Sequence, residues 1–221
     1  MRVLIAVVLA LIGATAFAQV PAQVPAQVPA QVPALAPTQV PTAALAYRAE
    51  LTRNARAVWG IDAPVASFAA QIHQESRWRA DAVSVVGARG MSQFMPATAD
   101  WIAGAYPAEL GDARPFNPSW SIRALVRYDR HLWQRITAAS ACERMAMTLS
   151  AYNGGLGWVY RDQRLALANG ADRQRWFGHV ERFNAGRHTA AFRENRGYPR
   201  VILRTFEPRY MKAGFGPGVC S

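Results

Sequence analysis

A proline stands at every fourth position from Pro21 to Pro41, within a Gln-Val-Pro-Ala repeat that occupies residues 19 to 42. Each proline lacks a backbone N–H and fixes φ, so neither a helix nor a sheet ladder can run through such a stretch. An extended polyproline-like path is what remains, and residues 19–46 therefore read as a linker or tether. The period is too short for a solenoid unit. The folded body is expected from residues 47–221, a length that suits one domain with its own core.

Ahead of the repeat, Met1-Arg2 is followed by the apolar run Val3 to Ile12 and by Ala16-Phe17-Ala18, a small-x-small cleavage pattern. Residues 1–18 read as a secretory signal peptide cut after Ala18, with an uncleaved anchor as the alternative. The run is shorter than the ~20 residues of a spanning helix. No second segment is apolar enough to span, so no transmembrane segment is expected after cleavage. A periplasmic or secreted location follows. The two cysteines, Cys142 and Cys220, then invite a disulfide, and closing so long a loop contributes about 4 kcal/mol in the chain-entropy model. No CxxC pair is present, which argues against a thiol redox site or zinc knuckle. The net charge is +11, almost all of it arginine, with Lys212 the only lysine. That charge draws an exported protein to polyanions, but the arginines are scattered, so a nucleic-acid arm is not indicated.

Beyond residue 43 the pattern is helical. Leu45, Leu51, Ala55 and Val58 follow a helical period until Gly60. Asp62 is a candidate N-cap, with Pro64 in the first turn of a helix whose stripe is Val65, Phe68, Ala69 and Ile72. That helix should fade near Ser76 to Trp78. Gly87 to Gly90 predicts a turn, Pro96 opens another helix, and further helices are expected over 122–136 and 144–151. Alternating strand patterns are almost absent, so the fold class is mostly α.

Glu75 sits at the end of that amphipathic stripe. Partial negative charge at a helix C-terminus disfavours a carboxylate, and partial burial does the same. A carboxyl kept protonated near neutral pH can give a proton to a glycosidic oxygen. Its surroundings read Glu75-Ser76-x-Trp78, then Ala82-x-Ser84-x-x-Gly87-Ala88-x-Gly90-x-x-Gln93-x-Met95-Pro96-x-Thr98-Ala99. Downstream come Phe116-Asn117-Pro118, Ser121-Ile122, Ala151-Tyr152-Asn153-Gly154-Gly155 and Glu194-x-x-x-Tyr198 followed by Val201-Ile202-Leu203. In ordered blocks over roughly residues 47 to 205, the chain closely resembles the soluble-type lytic transglycosylases, which share a goose-type lysozyme-like fold.

The resemblance implies a single lysozyme-like domain acting on the glycan strands of peptidoglycan. Glu75 matches the catalytic acid. Ser76, Ser84, Gln93, Met95, Tyr152, Asn153, Glu194 and Tyr198 match substrate-binding positions. Of these, Tyr152 is expected close to the catalytic carboxyl, the Ser76 hydroxyl near it, and Glu194 with Tyr198 on the opposite groove wall. The chain departs from the family at Met91-Ser92, where Leu-Met is usual, and at Asn195, where threonine is usual. Neither removes a proton-transfer group. The implied reaction breaks the β-1,4 bond between N-acetylmuramic acid and N-acetylglucosamine and forms a 1,6-anhydro end, with no metal or cofactor. Two alternatives stay open: a hydrolytic lysozyme using a second carboxylate such as Asp81 or Asp100, and a non-catalytic wall-binding assembly factor. A secretion, conjugation or phage lysis machine is a possible partner. His73 and Glu75 point to different helix faces, and HExxH, GxSxG and phosphate-loop patterns are absent.

Overall fold

The computed structural model describes residues 40–220. The signal peptide reading and residues 19–39 of the repeat lie outside this range. Among the described residues, nine α-helices follow one another: α1 (Thr42–Trp59), α2 (Val65–Ser76), α3 (Pro96–Ala105), α4 (Pro107–Leu110), α5 (Pro118–Trp133), α6 (Ala141–Gly154), α7 (Leu156–Ala168), α8 (Thr189–Arg200) and α9 (Glu207–Lys212). A wide π-turn over Val201–Phe206 joins α8 to α9, and it begins two residues after Pro199, which sits inside α8 and lacks an N–H to donate. Among the described residues, no sheet forms, only isolated antiparallel bridges pairing Val83 with Arg89 and Arg89 with Phe94. No helix in this range is long and apolar enough to cross a membrane. Helix α1 takes in residues 42–46, which the proline spacing had assigned to the linker.

Helix α2 runs through the middle of the core. Every residue from Val65 to His73 is buried, and α1, the π-turn and α9 pack around it. A helix buried on every side is stable only when enclosed, and its polar Ser67, Gln71 and His73 each meet a side-chain partner. Its start differs from the sequence expectation. Pro64, not Asp62, is the cap residue, and Asp62 is exposed. The tail supplies the missing acceptor: Ala66 donates its N–H to the Pro217 carbonyl at 3.1 Å. The tail is itself held by Glu207, whose carboxylate accepts from the Val219 and Cys220 N–H groups, and by a Cys142–Cys220 disulfide onto α6. Helices α5 and α6 begin earlier than expected, with Asn117 capping Trp120 and Ser140 capping Glu143.

Candidate active site

Helix α2 ends where the site begins. Arg77 and Trp78 both take left-handed backbone angles, φ 54° and 67°, which stops the helix at Ser76 and leaves Glu75 facing a cleft. Left-handed angles at non-glycine residues cost energy and recur at functional sites. The Trp78 side chain turns inward, where its indole N–H donates to Tyr210 Oη.

The flap between α2 and α3 forms one wall of the cleft. Gly90 carries φ 74°, and a Cβ there would stand 1.7 Å from the Pro115 carbonyl oxygen, so only glycine fits. Gln93 is also left-handed, φ 49°, and its amide nitrogen donates to the Gly90 and Ala82 carbonyls at 2.8 and 3.2 Å. The amide N–H₂ therefore shapes the flap from within. Ser84 lines the cleft while its hydroxyl accepts from Ala88 N–H. Met95 lines it too, largely exposed at the start of α3.

Helices α6 and α8 form the opposite side. The Tyr198 hydroxyl donates directly to Glu75 Oε1. Tyr152, expected near the carboxyl, lines the same cleft, but its hydroxyl donates to the Ser92 carbonyl at 2.7 Å. Asn153 donates to Glu194 Oε1 at 3.2 Å and accepts from Asn195. Asn195, the departure from threonine, is buried and ties α8 to the Ser150 hydroxyl and carbonyl of α6. The cleft encloses about 540 Å³, and Glu75, Ser84, Gln93, Met95, Tyr152, Asn153, Glu194 and Tyr198 all line it.

Ser76 is a correction. Its hydroxyl is buried and donates to the Met91 carbonyl at 2.7 Å while accepting from Arg79 N–H. One step along the helix turns a side chain by about 100°, so Ser76 points away from Glu75, fastens the flap from behind and does not line the cleft. Asp81 and Asp100 are exposed and line no part of the cleft.

Burial raises the Glu75 carboxyl from its usual 4.5 to about 8; the Tyr198 hydrogen bond pulls it back, and the Glu194 charge pushes it up again. Glu75 is thus mostly protonated at neutral pH and can be ionised without leaving its site. The Tyr152 and Tyr198 phenols are driven well above their ordinary range, chiefly by burial and then by Glu75, and stay neutral donors. Several residues escaped the sequence reading, Gln74 and Arg193 of the cleft wall among them, and two stand out. Tyr128 of α5 lines the cleft and packs against Tyr152, ring centroids 5.3 Å apart. Asp129, its neighbour, is fully buried, accepts from Gln71 of α2, and is pushed well above the carboxylate range by burial. The neighbouring motif Asn117-Pro118 was a signal for the helix, but nothing marked which of its polar residues would point inward.

The sequence profile of the transglycosylase SLT domain matches residues 50–174. The membrane-bound lytic murein transglycosylase F of Maricaulis maris is 34% identical over 110 residues, covering 49% of this chain and 22% of that protein. The protein of the same name from Vibrio parahaemolyticus is 31% identical over 135 residues, covering 60% of this chain and 24% of that one. Among solved structures, an inactive mutant of the lytic transglycosylase Slt from Pseudomonas aeruginosa superposes with a TM-score of 0.58 at 24% identity. The 70 kDa soluble lytic transglycosylase of Escherichia coli gives 0.55 at 25%. Each structure is covered to 25% of its length by 80% of this chain, so the likeness is one of fold. The chain spans about a quarter of the length of these relatives.

Proposed function

Since the chain belongs to the transglycosylase SLT domain family, we propose that it is a peptidoglycan lytic transglycosylase with Glu75 as its catalytic acid and base. The observation that carries this is a partly exposed carboxyl, raised to about 8, at the wall of a cleft of about 540 Å³.

The chemistry follows from that carboxyl. Protonated Glu75 gives its proton to the oxygen between N-acetylmuramic acid and N-acetylglucosamine, and the C1–O bond breaks. Positive charge builds at the muramoyl C1, where the substrate's own acetamido carbonyl stabilises it. No second protein carboxylate is needed for that step, as in other substrate-assisted cases. The glucosaminyl end leaves as the alcohol. Glu75, now ionised and held by the Tyr198 hydroxyl, takes the proton of the muramoyl 6-hydroxyl. O6 bonds to C1, closing the 1,6-anhydro ring and restoring protonated Glu75. Attack within one bound sugar carries a high effective concentration. Action outside the cytoplasm, periplasmic or secreted, fits the Cys142–Cys220 bridge, since such bridges persist in oxidising compartments. In this reading the proline repeat is a tether that holds the domain beside a wall-crossing partner, of secretion, conjugation or phage lysis type.

A hydrolytic outcome is the second reading, and Glu194 is its candidate base because it is the other carboxylate lining the cleft. Digestion of purified sacculi followed by mass spectrometry separates the two. We expect 1,6-anhydromuropeptides; reducing ends alone would replace the lyase with a hydrolase. Solubilisation that persists undiminished in Glu75→Gln would remove Glu75 from its role, and an inert wild-type protein would favour a non-catalytic wall-binding factor.

A further inference from the structure

A second hollow, of about 410 Å³, opens beside the cleft, and Thr98 and Tyr128 line both. Trp101, His131, Arg135 and Leu156 also stand in its wall. Trp101 lies one turn along α3 from Thr98 and is 47% exposed, an unusual fate for the largest apolar side chain. It is nevertheless held in place. Its ring makes T-shaped contacts with Tyr128, centroids 5.9 Å apart, and with His131 at 4.9 Å. His131 in turn meets the Tyr106 hydroxyl at 2.9 Å. Arg135 stands beside it, donating to the His131 carbonyl and forming no ion pair among the described residues.

A preorganised, half-bare indole next to an exposed guanidinium that keeps donors to spare suits a ligand with an apolar face and polar edges. A pyranose ring has that shape: its C–H faces stack on aromatic rings while its hydroxyl and acetamido oxygens accept from donors at the rim. A polymer lying in the cleft continues in both directions from the bond that breaks, and the shared Thr98 and Tyr128 make this hollow one continuation. We propose that Trp101 is the stacking platform of an additional subsite, holding an N-acetylated hexose of the same glycan strand beyond the reacting pair, with Arg135 as donor to it. The proposal rests on the cleft being a glycan site.

Calorimetry with the N-acetylglucosamine hexamer tests it in a Glu75→Gln background, where turnover does not interfere. Adding Trp101→Ala should weaken hexamer binding by about tenfold, the scale of one aromatic stacking contact, and Trp101→Phe should recover part of the loss. Circular dichroism and melting confirm folding, which an exposed position should tolerate. Equal hexamer affinity with and without Trp101 overturns the subsite, as does a hexamer that binds neither protein. Sacculus digestion, scored separately on the wild-type protein, shows whether the cleft chemistry stands when the subsite does not.

Discussion

The Tyr198 hydroxyl reaches Glu75 Oε1 from a helix 123 residues further along the chain. This one contact opposes the burial that keeps Glu75 protonated, so it sets how readily the carboxyl lets its proton go. Tyr198→Phe removes it. Glu75 should then hold its proton to higher pH, and the alkaline limb of kcat/KM should move up from about 8. The carboxylate form loses a donor in the same step, and kcat should fall about ten- to hundredfold, the worth of one hydrogen bond to a charge. A pH–rate profile with an unmoved limb would count against this coupling.

Glu75→Gln should trade activity for stability. The native carboxyl titrates near 8 and the unfolded one near 4.5, so the native state binds more protons between those values. Stability is therefore lost as pH rises from 4.5 to 8. Glutamine has no such penalty. Urea unfolding should show the variant more stable by about 3 kcal/mol at pH 7, at 1.36 kcal/mol per unit, with the difference vanishing near pH 4.

Acid should act through His73. Burial, with the charges of Arg77 and Arg209, lowers this imidazole to about 4, and Tyr210 Oη holds it at 2.9 Å. The native ring stays neutral while the unfolded one protonates below 6.5. Its contribution is present above that value and lost as pH falls toward 4, about 3 kcal/mol in all at 1.36 kcal/mol per unit. Melting curves between pH 7 and 4 should be flatter for His73→Gln than for the wild-type chain.

Gly90→Ala should damage the flap more than any surface change nearby. The added Cβ collides with the Pro115 carbonyl, and the left-handed angle strains alanine besides. A loss of about 2–4 kcal/mol is expected from the overlap and strain together. Gln93 also leans on the Gly90 carbonyl, so turnover should fall in the folded fraction.

Most of the cleft lining was legible because a motif wrapped around a tight turn demands particular residues at fixed spacing. Glu75, the Gly87–Gly90 turn, Gln93 and the Tyr152-Asn153 pair are of that kind. The identity of the hydroxyl on Glu75 was not, since Tyr152 and Tyr198 differ only in where their helices carry them, and Tyr152 finds the Ser92 carbonyl first. Ser76 misled because adjacency in sequence is not adjacency on a helix. Asp62 lost its capping role to a tail carbonyl more than 150 residues away, which no local pattern encodes. Asp129 hid as an ordinary helix charge between Tyr128 and Arg130, although it is fully enclosed.

The π-turn at Val201–Phe206 amounts to one residue more than a regular helix would use. An α-helix advances by about 100° per residue, so that surplus rotates everything after it relative to everything before. Upstream, Tyr198 is aimed at the cleft; downstream, Glu207 and Tyr210 meet Ser67 and His73 of α2. Straightening the segment by deleting one residue would leave only one of these two alignments intact. The helix works as a two-register spacer, and a shortened version would have to choose between gripping the core and touching Glu75.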